Sequence, residues 1–258
     1  MFRPRIIPVL LLKNKGLVKS IRFDRFTYIG DPVNAVKIFN DLKADELILL
    51  DIMASRENRL ISLELVRDIG YEANMPFAVG GGIRSLDNIR SILGAGSEKV
   101  VINTYAAQAP DFIRQASDTF GSSAIVICID VKKNWRGVLQ TWILNGKNST
   151  GISPVEFAGR MEHMGAGEII IQSIEKDGMM NGYDIALIQS IARSVNIPVV
   201  ALGGAGNLKD LKHAYFDANA NGLAAGSLFV YKDANRGVLI NYPEKSELSF
   251  HNVPRLKP

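Results

Sequence analysis

The sequence lacks the features that mark secreted and membrane proteins. Its single cysteine, Cys128, excludes an intramolecular disulfide and fits a reducing compartment. No apolar run approaches the roughly 18 residues that a bilayer-spanning helix needs. The apolar stretch after the basic N-terminal residues is short and has no small-residue cleavage site. We therefore predict a cytoplasmic protein that does not enter a membrane.

The sequence also lacks the basic stripe with interleaved aromatic residues that nucleic-acid binding requires. The formal net charge of +4 is modest, and the basic residues are scattered along the chain. This charge suits phosphorylated small molecules. We predict no nucleic-acid partner, no metal site and no cofactor.

Short strand-like runs alternate with amphipathic helical segments along the chain. We predict strands near residues 5–12, 46–52, 76–80, 98–103, 124–131, 168–173, 198–203 and 221–226. The segment that begins at Asp31 and Pro32 has an N-cap followed by proline at the first helical position. Eight strands with intervening helices predict an α/β protein, a (β/α)8 TIM barrel that fills the chain as a single domain, 1–258.

The two halves of the sequence match each other at an offset of about 119 to 123 residues. "DPVNAVKIFNDLKADELILLDI" parallels "SPVEFAGRMEHMGAGEIIIQSI", and "MPFAVGGGIRSLDNI" parallels "IPVVALGGAGNLKDL". "RIIPVLLLK" parallels "AIVICIDVK", which sets Leu11 against Asp130. We predict two duplicated half-barrels, about 1–120 and 121–230, and an irregular C-terminal tail, 231–258, punctuated by glycine and proline.

Glycine-rich turns fall at the predicted C-terminal ends of the strands, where (β/α)8 barrels carry their sites. They include 80–82, 203–206 and 225–227, and a further loop contains Asp177 and Gly178. Missing Cβ atoms let backbone N–H groups approach an anion. Equivalent clusters in both halves predict two phosphate sites across the barrel mouth. Two long loops on this face, 13–31 and 132–152, are candidate lids, and Lys19 in the first is a candidate contact for an anionic substrate.

Strand alternation predicts which side chains point into the barrel. Leu11 and Asp130 then face the mouth from equivalent positions. The same parity places Arg5, Glu46, Lys99 and Glu168 at the opposite end of the barrel. Charges that turn inward are costly unless they are paired, and two cations with two anions meet that condition.

These motifs resemble the cyclase subunit, HisF, of imidazole glycerol phosphate synthase. The resemblance runs from "RIIPVL" to "AAGSLF" and rests on "GDPV", "DELILLDI", "PFAVGGGIR", "INT", "SIEKDGMMNGYD" and "GGAG". It implies a glutaminase (HisH-like) partner at the barrel floor, whose ammonia passes an ammonia gate formed by Arg5, Glu46, Lys99 and Glu168. At the mouth it implies a bis-phosphorylated ribulosyl aminoimidazole substrate. The implied phosphate contacts are Gly82, Asn103, Thr104, Gly178, Gly204 and Ser227.

The resemblance also implies a pair of catalytic aspartates, and here only one of them is present. The second is Asp130, whereas the first position is Leu11, which cannot transfer a proton. Met53, Met179 and Leu202 also replace hydroxyl residues of the family. The departures cluster at the mouth, while the floor residues all match.

Three hypotheses follow from this pattern. The favoured one is a diverged paralogue that keeps the glutaminase partner and ammonia conduit, and supplies nitrogen to a sugar amidotransferase of surface-polysaccharide synthesis. The second is a working cyclase of histidine biosynthesis. The third is a non-catalytic subunit that activates the glutaminase allosterically.

Overall fold

The computed structural model describes residues 3–232, 236–244 and 246–247. The described strands in chain order are β1 (Arg5–Lys13), β2 (Gly16–Ile21), β3 (Asp24–Gly30), β4 (Leu47–Asp51), β5 (Phe77–Gly80), β6 (Lys99–Ile102), β7 (Ile125–Lys133), β8 (Leu139–Ile143), β9 (Asn148–Ser149), β10 (Glu168–Ser173), β11 (Val199–Leu202) and β12 (Gly222–Ala225). Eight of them pair in parallel in the order β1-β4-β5-β6-β7-β10-β11-β12, and β12 pairs with β1. The closed ring confirms the predicted (β/α)8 barrel and its eight strands.

Helices follow the barrel strands and pack on the outside of the barrel. Their bounds are α1 (Pro32–Asp41), α2 (Leu63–Glu72), α3 (Leu86–Gly94), α4 (Thr104–Gln108), α5 (Pro110–Phe120), α6 (Pro154–His163), α7 (Ile185–Ala192) and α8 (Leu208–Phe216). Side-chain caps start several of them: Asp31, Ser85 and Ser153 each accept a hydrogen bond from a backbone N–H of the first turn. Helices α1 and α6 begin with proline, so the repeat extends to how these helices start.

The barrel separates two hydrophobic cores. The larger core lies between the strands and the helices. The smaller one fills the barrel interior and includes Ile7, Val9, Cys128 and Ile170, with Leu11 and Leu50 packed on it and partly buried. Because Ile7, Val9 and Leu11 alternate along β1, the structure confirms the predicted inward face of that strand.

The two halves of the barrel have equivalent strand registers. Leu11 pairs with Leu50 between β1 and β4, and Asp130 pairs with Gln172 between β7 and β10. Leu50 then pairs with Gly80, as Gln172 pairs with Leu202. This agreement is what a duplicated half-barrel predicts, and the duplication itself stays a prediction.

The two long loops at the mouth contain antiparallel strands. In the loop at 13–31, β2 pairs with the end of β1 and then with β3. In the loop at 132–152, β8 pairs with the end of β7 and then with β9. Strands β1 and β7 thus continue past the rim as hairpins, because their backbone groups there pair with the returning chain. That these hairpins open and close as lids stays a prediction.

The chain after β12 forms a 3₁₀ turn, Ser227–Phe229. This turn stands where a regular (β/α)8 barrel has the helix that follows its last strand. The described part of the predicted irregular tail contacts the start of β1. There the Tyr242 hydroxyl donates a hydrogen bond to the Ile6 carbonyl oxygen, 3.1 Å away. The Tyr242 ring also packs on Phe229. Residues 233–235, 245 and 248–258 of the predicted tail lie outside the described residues.

Two searches of the described residues found nothing. None of their helices has the length and apolar character needed to cross a bilayer. Within the same residues, no group of three or more histidine, cysteine, aspartate or glutamate side chains is arranged to hold a metal ion.

Candidate functional site

A cavity occupies the mouth of the barrel, at the C-terminal ends of the parallel strands. It brings together the predicted catalytic, substrate and phosphate residues, whereas Met53 and Met179, which the sequence also places at the mouth, are not part of its lining. Its lining includes Leu11, Lys19, Gly82, Asn103, Thr104, Asp130, Asp177, Gly178, Gly204 and Ser227. Both hairpins contribute as well, through Phe23, Phe26 and Asn145. Substrate binding by these residues stays a prediction.

Two glycines of the lining have no room for a side chain. Gly82 and Gly204 have φ values of 70° and 115°, which L-residues with side chains rarely adopt. A Cβ at Gly82 would lie 1.8 Å from the Arg59 carbonyl oxygen, and one at Gly204 would lie 2.3 Å from the Gly182 carbonyl oxygen. Bare backbone therefore lines the cavity at equivalent places in the two halves, which suits close approach of an anion.

Asn103 and Thr104 lie at the end of β6, where they also fix the rim. The Asn103 Nδ2 donates to the Cys128 carbonyl oxygen over 2.9 Å. The Thr104 hydroxyl donates to Asn103 Oδ1 and accepts the Leu144 N–H over 3.1 Å. This last bond ties the second hairpin to the first half of the barrel. Ser227, the matching residue of the second half, is buried against the same cavity.

Asp130 is a buried carboxylate on the inward face of β7. It is 7% exposed, and the Cys128 thiol donates to it, with 3.7 Å between Sγ and Oδ1. The Asn103 side chain is a second hydrogen-bonding neighbour. Burial raises the pKa of Asp130 to about 7, because the charged form loses its hydration. A carboxyl group with a pKa near neutrality can both donate and accept a proton, which suits general acid–base chemistry.

Leu11 lines the same cavity from β1 but offers only hydrocarbon.

Two other carboxylates at the mouth, Asp51 and Asp177, are held by neighbouring residues. Asp51 forms an ion pair with Arg59, with 2.5 Å between Oδ2 and Nη1, and accepts the backbone N–H groups of Met53 and Ala54. Of the carboxylates described in the lining, Asp130 is therefore the one least committed to structural hydrogen bonds.

Asp177 is the third mouth carboxylate, and it holds the first hairpin in place. It accepts the Ser20 hydroxyl at 2.7 Å and the Phe23 N–H at 3.2 Å, although these residues are more than 150 positions away in sequence. Burial raises its pKa, and these hydrogen bonds oppose the rise. A carboxylate repels phosphate, so the geometry favours a clamp for the hairpin. Its predicted role as a substrate contact stays untested.

Lys19 is buried at the edge of the cavity. Its Nζ donates to the Val9 carbonyl oxygen at 2.5 Å. Burial lowers the pKa of Lys19 to about 8, and the charge of Asp177 opposes this shift. Gly226 makes room for the amine, since a Cβ there would lie 2.6 Å from Nζ. An amine with this pKa beside the mouth can meet an anionic group in its charged form at neutral pH.

The opposite end of the barrel carries a closed ring of four charges, which we call the floor ring: Arg5, Glu46, Lys99 and Glu168. Arg5 forms ion pairs with both glutamates. Lys99 does the same, with Nζ 2.9 Å from Glu46 Oε1 and 3.1 Å from Glu168 Oε2. The structure thus brings together the four residues that sequence parity predicts, and each charge has two partners of opposite sign. Their role as an ammonia gate stays a prediction.

Sequence reasoning missed several residues of the mouth. Asp51, Asn145 and Gln172 line the cavity, and Asn145 Nδ2 donates to the Ile52 carbonyl oxygen across the rim. Strand parity was a usable signal for Gln172, because Ile170 and Gln172 share the inward face of β10. No local signal marks Asn145, whose contact depends on how the second hairpin folds over the barrel.

The fold and this cavity define a class, the (β/α)8 barrels with a polar site at the C-terminal ends of the strands. Comparison with known proteins narrows the class. Residues 5–235 match the family described as histidine biosynthesis protein.

Among curated proteins, the chain is 44% identical to a Pseudomonas aeruginosa protein provisionally named imidazole glycerol phosphate synthase subunit hisF2, over 96% of this chain and 99% of the relative. It is 42% identical to a Leptospira interrogans protein provisionally named as the HisF subunit, over 96% and 98%. It is 39% identical to the imidazole glycerol phosphate synthase subunit HisF of Alkaliphilus metalliredigens, over 91% and 93%. The chain belongs to the histidine biosynthesis protein family and, within it, to the HisF group.

Proposed function

We propose that this barrel takes ammonia from a glutaminase docked at its floor and delivers it to a phosphorylated substrate site at its mouth. We further propose that it is a diverged paralogue that supplies nitrogen for amidation of a sugar in surface-polysaccharide synthesis. The observation that carries the proposal is a contrast within one molecule. The floor ring is complete, whereas Leu11 stands at the mouth where the resemblance implies a catalytic aspartate.

The floor ring supports a partner at that end of the barrel. The two glutamates are buried, while Arg5 and Lys99 keep part of their surface exposed. Inward-facing charges are expensive, and hydrophobic residues of similar volume would often be as stable. Four charges retained at the entrance of an apolar interior are better explained by control over what enters than by stability alone.

The barrel interior above the floor ring supports the passage of a neutral molecule. Its side chains are mostly aliphatic, including Ile7, Val9, Ile48, Val101 and Val200. Ammonium would lose its hydration there, whereas ammonia carries no net charge and loses less. An apolar interior between a charged floor and a polar mouth therefore suits ammonia.

The mouth supports binding of a substrate with phosphate at each end. Gly82 and Gly204 present bare backbone from the two halves, and Thr104 and Ser227 lie at matching strand ends. Lys19 adds a buried amine beside the cavity. A bis-phosphorylated compound of the size that spans the mouth is the substrate class that we expect.

Leu11 is the reason for proposing a paralogue. An acid–base pair typically contributes roughly 10² to 10⁴-fold in rate for each member. Asp51 and Asp177 do not replace the missing member, because Arg59 holds the first and the first hairpin holds the second. A working cyclase of histidine biosynthesis is the second candidate, and the intact Asp130 and phosphate turns favour it.

The discriminating experiment supplies the purified protein with the bis-phosphorylated ribulosyl aminoimidazole substrate and ammonium salt, and follows imidazole glycerol phosphate. We expect no measurable turnover in the unmodified protein and a gain of turnover in Leu11→Asp. Turnover in the unmodified protein near that of an ordinary HisF subunit would overturn the paralogue proposal in favour of the histidine cyclase.

Leu50→Asp is the matched control for Leu11→Asp. Leu50 pairs with Leu11 in the barrel register, is also partly buried and also lines the cavity. A carboxylate there is also partly buried but has a different position relative to Asp130. A gain in both variants would mean that added charge, and not a restored acid–base pair, is responsible.

A separate experiment tests the floor. A co-expressed glutaminase of the HisH type should bind the barrel, and Lys99→Met should change the coupling between glutamine hydrolysis and nitrogen transfer. Lys209→Met, an exposed lysine on α8, is the control and should change nothing. If no glutaminase binds and Lys99→Met has no effect, the conduit proposal fails.

A further inference from the structure

Gln172 lies at the top of the barrel interior, and one half of its amide is unused. The residue is 5% exposed, follows Ile170 on the inward face of β10 and lines the mouth cavity. Its Nε2 donates to Asp177 Oδ1 over 3.3 Å. Its Oε1 is buried and accepts no hydrogen bond from any described residue.

The orientation of this amide follows from its neighbours. Asp177 acts as an acceptor toward Ser20 and Phe23 as well, so the group that faces it from Gln172 has to be the donor NH2. The carbonyl oxygen therefore has to point elsewhere. Rotating the amide would place Oε1 against the Asp177 carboxylate, which has no proton to donate, so Oε1 would still lack a donor.

A neighbouring glycine leaves room for the Gln172 side chain. Gly203 directly follows β11, the strand beside β10, and a Cβ at this position would lie 3.2 Å from the Gln172 Nε2. A buried acceptor without a donor is costly, and such groups in native proteins call for an explanation. The other unpaired buried side-chain atom among the described residues, Thr141 Oγ1, belongs to β8 and not to the cavity lining.

The surroundings indicate which donor fits. Gln172 pairs in register with Asp130 on one side and with Leu202 on the other. Below them the described side chains of the interior are aliphatic, apart from Cys128 and the floor ring. Three polar side chains follow where this aliphatic interior meets the cavity: Asn103, Gln172 and Asp130. The Asn103 Oδ1 already accepts the Thr104 hydroxyl, so the Gln172 amide oxygen and the Asp130 carboxyl group are the acceptors open to a small N–H donor from the floor.

We propose that Gln172 Oε1 accepts an N–H hydrogen bond from ammonia arriving through the barrel, and that Gln172 is a positioning residue which holds this nitrogen beside Asp130. The inference rests on the proposed conduit. Ammonia has three N–H donors and one lone pair, so binding through N–H groups leaves the lone pair free to attack an acceptor carbon. A neutral amide oxygen holds ammonia without stabilising ammonium as a second carboxylate would.

An N–H or O–H group of the organic substrate could satisfy the same oxygen. The two sources share one chemistry, a hydrogen-bond donor directed at Oε1, and they differ in size and in route. The experiment therefore presents them separately.

The test follows the Gln172 side-chain amide by NMR in protein labelled with ¹⁵N-glutamine. The chain has five glutamines, so the side-chain spectrum is simple, and Gln172→Met identifies the resonance by its loss. Ammonium chloride is titrated at a constant pH high enough for much of it to be present as ammonia. Tetramethylammonium chloride is the salt control, since it supplies a cation and chloride as residual ammonium chloride does but has no N–H group.

We expect a saturable shift of the Gln172 resonance with ammonium chloride, and at least a tenfold smaller shift with tetramethylammonium. The Gln189 amide, which donates to the Asp217 carbonyl oxygen, should not move. No shift, or equal shifts with both salts, would overturn the inference and would mean that water satisfies Oε1. A shift produced only by the bis-phosphorylated substrate would overturn the assignment to ammonia.

A kinetic measurement adds a readout that a purely structural role would not move. In any assay where the barrel uses ammonium salt, Gln172→Met should raise KM for ammonia by roughly fivefold to tenfold, the change expected from one hydrogen bond. KM for the organic substrate should stay the same. The NMR titration needs neither turnover nor a glutaminase, so it can fail while the conduit stands. Conversely, loss of glutaminase coupling would count against the conduit without altering the titration.

Discussion

The two ends of this barrel differ in how completely their charges are paired. At the floor, Arg5 and Lys99 each bridge Glu46 and Glu168, so each charge has two partners. At the mouth, Lys19 is buried against a backbone carbonyl oxygen. No described residue forms an ion pair with the buried Asp130 or donates a hydrogen bond to Gln172 Oε1. The floor satisfies its own polar groups, whereas the mouth leaves some for a ligand to satisfy.

This difference indicates which end of the barrel tolerates substitution of a single residue. The floor ring is a coupled set, so replacing one member strands another charge. At the mouth, Leu11 occupies a position that the resemblance implies is an aspartate, yet it packs on the interior core and keeps its strand pairing with Val18 and Leu50. The mouth can therefore acquire different chemistry while the floor ring stays intact.

The largest expected effect is at the mouth. Asp130→Asn should lower the rate of the ammonium-dependent reaction there by roughly 10² to 10⁴-fold, because the amide cannot transfer a proton. Steady-state kinetics with ammonium salt measures this loss, in Leu11→Asp if the unmodified protein shows no turnover. Asp118→Asn, an exposed aspartate on α5, should leave the rate unchanged. An active Asp130→Asn would remove Asp130 from the mechanism.

At the floor, Glu168→Gln should lower the free energy of unfolding by about 3 kcal/mol, since Arg5 and Lys99 then share one glutamate. Denaturant unfolding measures the change, and Glu156→Gln on the exposed face of α6 is the control. Adding Lys99→Met to Glu168→Gln should recover part of the loss because the ring becomes neutral again. A fully additive double variant would show that the ring is not a coupled unit.

The pH dependence of stability should distinguish the mouth from the floor. Asp130 has a pKa of about 7 in the folded chain, against about 4 when unfolded. Between these values the unfolded chain binds fewer protons than the folded one, so Asp130 lowers stability as pH rises from about 4 to about 7, by at most about 1.4 kcal/mol per pH unit. Asp130→Asn should remove this component of the slope.

Lys19 should act at higher pH and in the opposite direction. Its folded pKa of about 8 lies below the ordinary lysine pKa of 10.5, so its burial cost is present below pH 8 and falls as pH rises toward 10.5. Unfolding curves of Lys19→Met and the unmodified protein should converge with rising pH over this window. Parallel curves would show that Lys19 is not buried in its charged form.

The smallest expected effect concerns the clamp between the first hairpin and Asp177. Ser20→Ala removes one hydrogen bond to this carboxylate and should lower the free energy of unfolding by about 1.5 kcal/mol. Ser194→Ala, which removes a hydroxyl bond to a helix carbonyl oxygen away from the mouth, should cost less. Equal losses would mean that Asp177 gains no particular support from Ser20.

Sequence reasoning reached much of the fold because strand alternation and helix caps are local properties. Parity along β1 and β7 places Leu11 and Asp130 on the inward face, and the same parity predicts the floor ring. A residue's side of a strand depends only on its own position in a two-residue period. The closure of eight such strands then brings Arg5 to Glu168 although they lie far apart in the chain.

The unpredicted features depend on contacts between distant segments. Asp177 holds Ser20 and Phe23, Arg59 holds Asp51, and Asn145 reaches the Ile52 carbonyl oxygen. Each contact is set by how a hairpin or loop folds over the rim, and residue type alone does not specify such a fold.

The sequence by itself determined the barrel, the order of its strands, the inward residues and the substitution of Leu11 at the mouth. Only the tertiary structure decided the polar contacts of the mouth. Lys19 is buried there, and within the described part of the chain Asp130 has no ion pair and Gln172 Oε1 has no donor. The physical reason is that a polar group's state depends on the donors and acceptors packed around it. Periodicity shows which way a side chain points, whereas burial and hydrogen-bond partners exist only once the whole ring has closed.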